Sequence, residues 1–297
     1  MSITERLANL STPTVIITVL VLFAIRYLLL KYYKTPVGKS IAETAESLGV
    51  AMALVFLIIR PFLVQAFFIP SASMHPTLLE HDHILVNKLL YRFREPRLRD
   101  VIVFRSPPEA DDTHQERDYI KRVIAVPGDT VRITPGYIVV GEQQYGHDEL
   151  NGALAGYKPV GGDGKVKLFN DGVFVDGRLV SKAEVAAAVG ASGKKVKIFP
   201  GVVYLNGKAL KESYTAEDPA RPYPDPGGSA KVSPDKWVVV DKQHNRVVKI
   251  PKGKLLVMGD NRNDSNDARI WGLLDRDRIH GKAMFVFWPI NRIRWIR

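Results

Sequence analysis

The sequence predicts a mainly β protein that two N-terminal transmembrane helices hold to a membrane. Two long apolar stretches lie within the first 69 residues. The remaining chain is a succession of short segments rich in Val, Ile and aromatic residues, separated by Gly, Pro, Asp and Asn, which is typical of a complex of antiparallel sheets. There is no cysteine, which excludes disulfide frameworks, thiolate metal sites and cysteine nucleophiles.

The first element is a pair of membrane spans. Residues 15–30 and 48–69 are almost wholly apolar and long enough to cross a bilayer, which predicts helices over about 14–31 and 43–63. Arg26 interrupts the first stretch, and Arg60-Pro61 interrupts the second near the expected end of its helix. The alternatives are a cleavable signal peptide for the first stretch, which lacks a prompt small-residue cleavage site, and a buried soluble helix for the second.

The lysines between the two stretches predict the orientation. Lys31, Lys34 and Lys39 lie there, so the positive-inside rule places a short cytoplasmic loop between the spans. Residues 1–69 then form a membrane anchor, and everything after it lies on the extracytoplasmic side.

Strands dominate the rest. Three segments, 131–142, 166–180 and 196–210, share a strand–turn–strand plan, and we interpret them as three related hairpins. Residues 182–190 form the one clear helix candidate, with Gly190 as its stop, and the Pro- and Gly-rich residues 219–228 indicate a surface loop.

The net charge of +11 first suggests nucleic acid or an anionic membrane as partner. Basic runs and nucleic-acid motifs are missing from the sequence, so an extracytoplasmic domain beside anionic lipid is the better interpretation. His81 and His83 share a strand face, but no third ligand follows at a metal-binding spacing, so the sequence predicts no metal and no cofactor. The C-terminal RIRWIR either contacts lipid headgroups or forms a final strand that pairs back into the sheet.

Three polar segments carry candidate chemistry: residues 69–78 (IPSASMHPTL), 118–129 (DYIKRVIAVPGD) and 257–272 (VMGDNRNDSNDARIWG). Lys121 alternates with apolar residues on a strand, so it points into a core. Burial lowers the pKa of a lysine, and a neutral amine can act as the base that a serine nucleophile requires.

In this order, and together with the DVIVF strand, these segments resemble the conserved boxes of bacterial type I signal peptidases. These are membrane-anchored serine proteases with a Ser/Lys dyad that remove N-terminal signal peptides from exported preproteins. The resemblance implies a multi-pass protein of the bacterial inner membrane with its catalytic domain on the periplasmic side. It also implies the bilayer, signal-peptide-bearing preproteins and proximity to the secretion translocon as partners, with no nucleic acid.

Position by position, the resemblance makes Ser73 the nucleophile and Lys121 the general base. The Ser71 hydroxyl and the Ser73 backbone N–H would form the oxyanion hole. Ser265 would hydrogen-bond the lysine amine, and Asp267 and Arg269 would form an ion pair that supports their loop. An apolar wall would accept small substrate side chains; its expected members are Phe67, Ile69, Pro70, Met74, Leu78, Ile84, Tyr119 and Ile120.

The sequence departs from the family pattern in several places. Arg99 and Ala125 stand where Gly is usual, Asn263-Asp264 reverses the common order, and Ala268 replaces a frequent Ser. The largest departure is an insertion at residues 134–199. We expect these residues to form an accessory β-hairpin lobe and residues 70–133 and 200–297 to form the catalytic β-core.

Two other functions remain open at this stage. One is a related Ser/Lys protease with a different substrate, such as a self-cleaving regulator or a pilin-type processor. The other is a non-catalytic anchored β-domain that binds envelope proteins.

Overall fold

The structure, a computed structural model, describes residues 11–33, 35–158, 165–169, 172–215, 217–225 and 235–297. The side chains of Thr12, Arg60 and Pro61 lie outside this description, as do Lys34, the predicted turn at 170–171 and the end of the predicted loop at 226–228.

The helices are α1 (Thr12–Tyr32), α2 (Pro36–Ala53), α3 (Leu90–Phe93), α4 (His147–Ala153), α5 (Lys182–Ala188) and α6 (Ala268–Trp271). The strands are β1 (Val64–Phe68), β2 (His83–Asn87), β3 (Val101–Arg105), β4 (Asp118–Ala125), β5 (Thr130–Thr134), β6 (Tyr137–Val140), β7 (Gln143–Gly146), β8 (Val166–Phe169), β9 (Gly172–Val175), β10 (Arg178–Val180), β11 (Val196–Phe199), β12 (Val202–Leu205), β13 (Lys208–Ala209), β14 (Val238–Val240), β15 (Arg246–Lys249), β16 (Lys254–Met258), β17 (Leu274–Asp275), β18 (Ile279–Trp288) and β19 (Arg294–Trp295).

Two N-terminal helices are long and apolar enough to cross a membrane. The first agrees closely with the prediction, whereas α2 begins at Pro36 rather than at residue 43 and continues as a π-helix over Leu54–Leu63. The earlier start follows from the cap, because the Thr35 hydroxyl accepts from the Gly38 N–H and Pro36 is preorganised for the first turn. The predicted loop therefore shrinks, and Lys31 and Lys39 lie within the helices.

The helices pack through small residues and one ion pair. Small residues are buried along α2: Gly38, Ala42, Ala45 and Gly49. A side chain at Gly49 would meet the Phe23 ring of α1, so the glycine permits the close approach. Arg26 Nε lies 2.8 Å from Glu46 Oε2, so the charge that interrupts the first apolar stretch meets an opposite charge on the second helix.

The largest sheet has eight strands. Its strand order is β1-β2-β18-β3-β4-β16-β17, with β19 paired to β18, and every pairing is antiparallel. The predicted mainly antiparallel fold behind two apolar helices is therefore confirmed. The second apolar stretch holds both the π-helical segment and strand β1, a division that the sequence did not predict. Of the two alternatives left open for the C-terminal segment, the structure forms the final strand, with Trp295 opposite Phe285.

The prediction of three hairpins is correct only for the middle segment, where β8, β9 and β10 form an antiparallel meander. In the outer segments β5 pairs with β12 and β6 with β11, so the predicted pairings of β5 with β6 and of β11 with β12 do not form. The third segment folds back on itself only further along, where β12 pairs with β13. The two pairings share one register, since Thr134 faces Val202 and Tyr137 faces Phe199. The outer segments are thus the two sides of one ribbon, interrupted at two Pro-Gly pairs, 135–136 and 200–201.

This ribbon carries the chain out of the five-stranded sheet β13-β12-β5-β15-β14 into two three-stranded sheets, β11-β6-β7 and β10-β9-β8. These two sheets and helices α4 and α5 surround an apolar core of their own: Ile138, Val140, Leu150, Leu154, Val166, Leu168, Val173, Val175, Val180, Val185, Ala186 and Val196. We call residues 134–199 the lobe. The helix predicted at 182–190 is α5, and Gly190 ends it with φ 72°.

Candidate active site

Ser73 and Lys121 meet in a buried contact. Ser73 lies on a single 3₁₀ turn, Ala72–Met74, shortly after β1, and Lys121 lies in the middle of β4. The Lys121 Nζ donates to Ser73 Oγ at 2.8 Å and to the Ile120 carbonyl at 3.0 Å. Ser73 is 8% exposed and Lys121 is 4% exposed. A serine hydroxyl thus lies within proton-transfer distance of a dry amine.

Burial governs the ionisation of this amine. Desolvation lowers the pKa of Lys121 from 10.5 to about 8. The negative charges of Asp267 and Asp260 oppose this shift, and the positive charge of Arg269 assists it. Among the described residues, no carboxylate forms a salt bridge with Lys121. With a pKa of about 8, about a tenth of the amine is neutral at pH 7 and about half at pH 8.

Ser71 lies beside the nucleophile. Its hydroxyl donates to Ser73 Oγ at 3.4 Å, and the residue is exposed. A hydroxyl at this distance can turn towards a carbonyl oxygen that Ser73 attacks, and a donor of this kind stabilises the developing negative charge.

The loop over residues 259–269, which we call the catalytic loop, packs beside Ser73 and Lys121. Asp267 is fully buried and accepts from the Gly259 N–H at 3.0 Å and from Arg269 Nε at 2.8 Å. Burial alone would raise the pKa of the Asp267 carboxyl, but the charge and hydrogen bonds of Arg269 lower it below its ordinary value. The structure therefore brings the predicted ion pair together.

Ser265 differs from its prediction. Its Oγ is buried without a hydrogen-bond partner, so the expected bond to the lysine amine is not formed in this structure. A Cβ added at Gly259 would clash with Ser265 Oγ and with the Ser73 carbonyl oxygen. Only glycine leaves room for Ser265 and the nucleophile loop to pack together here.

Asn261 is a contact that sequence reasoning missed. Its N–H donates to the Ser73 carbonyl at 3.1 Å, and its side-chain amide donates to the Ala72 carbonyl at 3.1 Å. These bonds clamp the turn that carries the nucleophile to the catalytic loop. The signal was present in the sequence as an amide in a loop dense in polar groups, but its partner lies 189 residues away along the chain.

A second missed feature is the buried pair of Arg122 and Asp260. Arg122 Nε donates to Asp260 Oδ1 at 2.8 Å and Nη2 donates to Asp260 Oδ2 at 2.7 Å, and both residues are fully buried. Arg122 also donates to the carbonyls of Arg99 and Arg297. Arg99, which replaces the glycine usual in the family, adopts φ 71°, a conformation that favours glycine.

Of the eight residues predicted to form the apolar wall, only four are accessible at the surface. Phe67, Tyr119 and Ile120 are half-buried and Pro70 is exposed, so these four can meet a substrate. The other four, Ile69, Met74, Leu78 and Ile84, are at most 2% exposed and belong to the core cluster beneath the site. Phe67 and Ile120 pack against this cluster, so the four buried residues lie beneath the accessible part of the wall.

The histidines of the 81–83 segment take part in packing. No group of three metal-ligating side chains occurs among the described residues. His83 packs against Phe68 and Phe287, while the buried Asp82 between the two histidines accepts both hydrogen bonds of the Arg292 guanidinium, at 2.7 and 2.9 Å.

The known proteins to which this chain is similar are signal peptidases. Residues 41–159 and 181–288 match the family described as signal peptidase, peptidase S26, and the unmatched residues 160–180 include the β8–β10 meander. A signal peptidase I of Aquifex aeolicus is 34% identical over 236 residues, covering 79% of this chain and 80% of the relative. A probable signal peptidase I-2 of Synechocystis is 28% identical over 79% of this chain and 68% of its own length. A solved signal peptidase I of Enterococcus faecalis covers 64% of this chain at 17% identity with a TM-score of 0.22.

Proposed function

The chain belongs to the peptidase S26 family of signal peptidases, and from this premise we propose that it cleaves signal peptides with Ser73 as nucleophile and Lys121 as general base. Membership makes it a serine endopeptidase that acts on signal peptides. The dyad is supported by one observation above all, the 2.8 Å contact between Ser73 Oγ and an amine whose pKa burial lowers to about 8.

The reaction proceeds in two steps. The neutral Lys121 amine accepts the Ser73 proton while Oγ forms a bond to the scissile carbonyl carbon. The protonated amine then donates this proton to the leaving nitrogen as the C–N bond breaks, which leaves an acyl ester on Ser73. A water that loses its proton to the same amine hydrolyses the ester and restores both groups.

The surrounding groups have distinct roles in this proposal. The Ser71 hydroxyl and the Ser73 backbone N–H form the oxyanion hole, in which one donor contributes about 3 kcal/mol to transition-state stabilisation. Asp267 and Arg269 fix the catalytic loop. Ser265 orients the lysine amine once its hydroxyl turns from the unpartnered position described above.

The substrate lies against the exposed part of the wall. Phe67, Pro70, Tyr119 and Ile120 provide an apolar surface beside Ser73, and shallow pockets on this surface fit small side chains one and three positions before the cut. The same surface excludes water from Lys121, so substrate specificity and base activation depend on one group of residues.

The site works at a membrane. The family is membrane-anchored, and this chain has two apolar N-terminal helices. We propose that both helices span the bacterial inner membrane with a cytoplasmic turn, that the catalytic β-core over 70–133 and 200–297 lies on the periplasmic side with the lobe attached to it, and that preproteins arrive from a nearby translocon.

Cleavage of a preprotein by the full chain, reconstituted in lipid, tests the dyad. Ser73→Ala and Lys121→Ala are each expected to reduce turnover by at least about a thousandfold, because each removes a group that forms or breaks a bond. Ser106→Ala is a matched control, since this buried serine directly follows β3 and its hydroxyl accepts from the Arg117 N–H rather than contacting the dyad. Near-wild-type turnover in either dyad variant would show the assignment to be wrong.

A panel of preproteins that vary the residues one and three positions before the cut tests the substrate class. Efficient cleavage only with small residues at both positions supports signal-peptide processing, whereas indifference to both contradicts the proposed pockets.

A further inference from the structure

The four residues Glu217 to Ala220, which we call the bridging segment, lie between the lobe and the catalytic loop. Asp218 is almost fully buried, and its carboxylate accepts from the Leu168 N–H at 3.0 Å and the Gly201 N–H at 2.7 Å. The same carboxylate lies 3.2 Å from His147 Nε2 on α4. One buried acid thus fastens the bridging segment to a lobe strand, a lobe helix and the ribbon that joins the lobe to the core.

A second acid strengthens this attachment. The Glu217 carboxylate is nearly buried and lies 3.4 Å from Lys167 Nζ on β8. The strand β8 therefore holds the bridging segment twice, once through the Leu168 backbone and once through the Lys167 ammonium.

The other side of the bridging segment holds the catalytic loop at a single residue. The Asn263 N–H donates to Glu217 Oε1 at 2.8 Å, and its side-chain amide donates to the Asp218 carbonyl at 2.9 Å. Its amide oxygen accepts from the Ala220 N–H at 2.8 Å. Three hydrogen bonds on one exposed residue are more than a solvated loop position requires.

The unusual order of the Asn263-Asp264 pair agrees with this arrangement. Asn263 supplies the donor and acceptor that the bridging segment binds, while Asp264 lies 3.7 Å from Lys165, directly before β8. Both residues that depart from the common family order therefore contact the lobe or the segment that the lobe holds. The carboxylate of an aspartate at 263 has no N–H to donate to the Asp218 carbonyl.

We propose that the lobe is a support for catalysis, in which the bridging segment and Asn263 position the catalytic loop against Ser73 and Lys121. Asn263 acts as a positioning residue: it lies between Asn261, which clamps the nucleophile turn, and Asp267, which anchors the loop to Gly259. This inference rests on the proposed function, because it assigns the lobe a role in the same site.

The variant Asn263→Ala tests the link, with turnover of a preprotein and its pH dependence as readouts. Loss of two side-chain hydrogen bonds is expected to lower kcat about tenfold and leave KM within about twofold, since the substrate wall lies on other elements. A loosened loop admits water to Lys121, so the rise of the rate with pH is expected to move towards higher pH. A purely structural role for Asn263 would not shift this pH dependence.

Asn151→Ala is the matched control. Asn151 is also exposed and lines the same cavity of about 410 Å³ between the lobe and the catalytic loop, but within the described part of the chain its side-chain oxygen accepts from the Val166 N–H inside the lobe and not from the bridging segment. Its kcat and pH dependence are expected to equal those of the wild type.

Lys167→Ala weakens the lobe side of the link by removing the ion pair with Glu217, while the Asp218 contacts and the catalytic loop stay untouched. It is expected to lower kcat about threefold, and the double variant with Asn263→Ala is expected to be no slower than Asn263→Ala alone, because the two contacts act in series. Wild-type kcat and pH dependence in Asn263→Ala, or independent multiplicative losses in the double variant, would overturn the inference. Failure of the wild type to cleave any preprotein would instead refute the proposed function.

Discussion

Two neighbouring cationic side chains of β4, Lys121 and Arg122, lie on opposite faces of the strand and have different partners. Lys121 and Arg122 are adjacent, both are almost fully buried, and their side chains leave the strand on opposite sides. Lys121 meets a serine hydroxyl and a carbonyl, whereas Arg122 meets both oxygens of Asp260, two carbonyls and the Thr77 hydroxyl. Arg122 also stacks on the Tyr214 ring at 4.0 Å.

Both side chains are buried, so burial alone does not explain why one is suited to proton transfer and the other to a structural ion pair. The difference lies in their hydrogen-bonding and charged partners and in the chemistry of the two groups. No carboxylate of the described residues is in direct contact with the lysine, so desolvation lowers the lysine pKa and favours the neutral amine, whose lone pair can accept a proton. The arginine has a bidentate partner and a guanidinium that does not lose its proton in proteins, so it joins distant segments. One strand thereby carries the proposed catalytic base and a structural clamp side by side.

The variant Lys121→Arg removes the difference between the two faces of β4, because each face then carries a guanidinium. Turnover is expected to fall by about a thousandfold or more, because a guanidinium remains protonated and does not act as a base. Steady-state cleavage of a preprotein measures the loss, with circular dichroism to verify the fold. A variant that keeps a tenth of wild-type turnover would exclude Lys121 as general base.

Asp260→Asn tests the other face. It leaves the Arg122 charge buried without a counter-ion, which costs about 3–5 kcal/mol of folding stability. A clear fall in the thermal unfolding midpoint of the full chain in detergent is expected. Arg105→Ala, which breaks an exposed pair with Glu116, serves as control and is expected to change the midpoint little. Equal midpoints for the two variants would contradict a structural role for the Arg122 pair.

The pH dependence of cleavage tests whether Lys121, unlike Arg122, loses its proton in the working range of pH. The proposed base acts only when neutral, so kcat/KM is expected to rise about tenfold per pH unit below the lysine pKa and to level off above about 8. The sign follows from a lowered lysine pKa: raising the pH through it removes the proton and creates the active form. A rate that falls as the pH rises from 6 to 8 would contradict this role.

Much of the site was predictable because its residues lie in short polar segments. Ser73, Lys121, Asp267 and Arg269 lie together as the resemblance implied. The buried half of the wall was mispredicted, since apolar residues beside a serine look alike in sequence whether they line a surface or a core. The bond to Ser265 and the clamp by Asn261 depend on side-chain directions that no local pattern contains.

The sequence by itself determined the apolar spans, most strands and the segments that carry the proposed chemistry, because hydrophobic length, alternation and turn residues act over a few neighbouring positions. Only the tertiary structure decided which strands pair. It turned two predicted hairpins into one ribbon and joined Arg122 to Asp260 across 138 residues. It also decided that both cations are buried, that Arg122 is paired with Asp260, and that no carboxylate of the described residues is paired with Lys121. The physical reason is that desolvation and ion pairing depend on every group within a few ångströms, and folding brings those groups from distant parts of the chain.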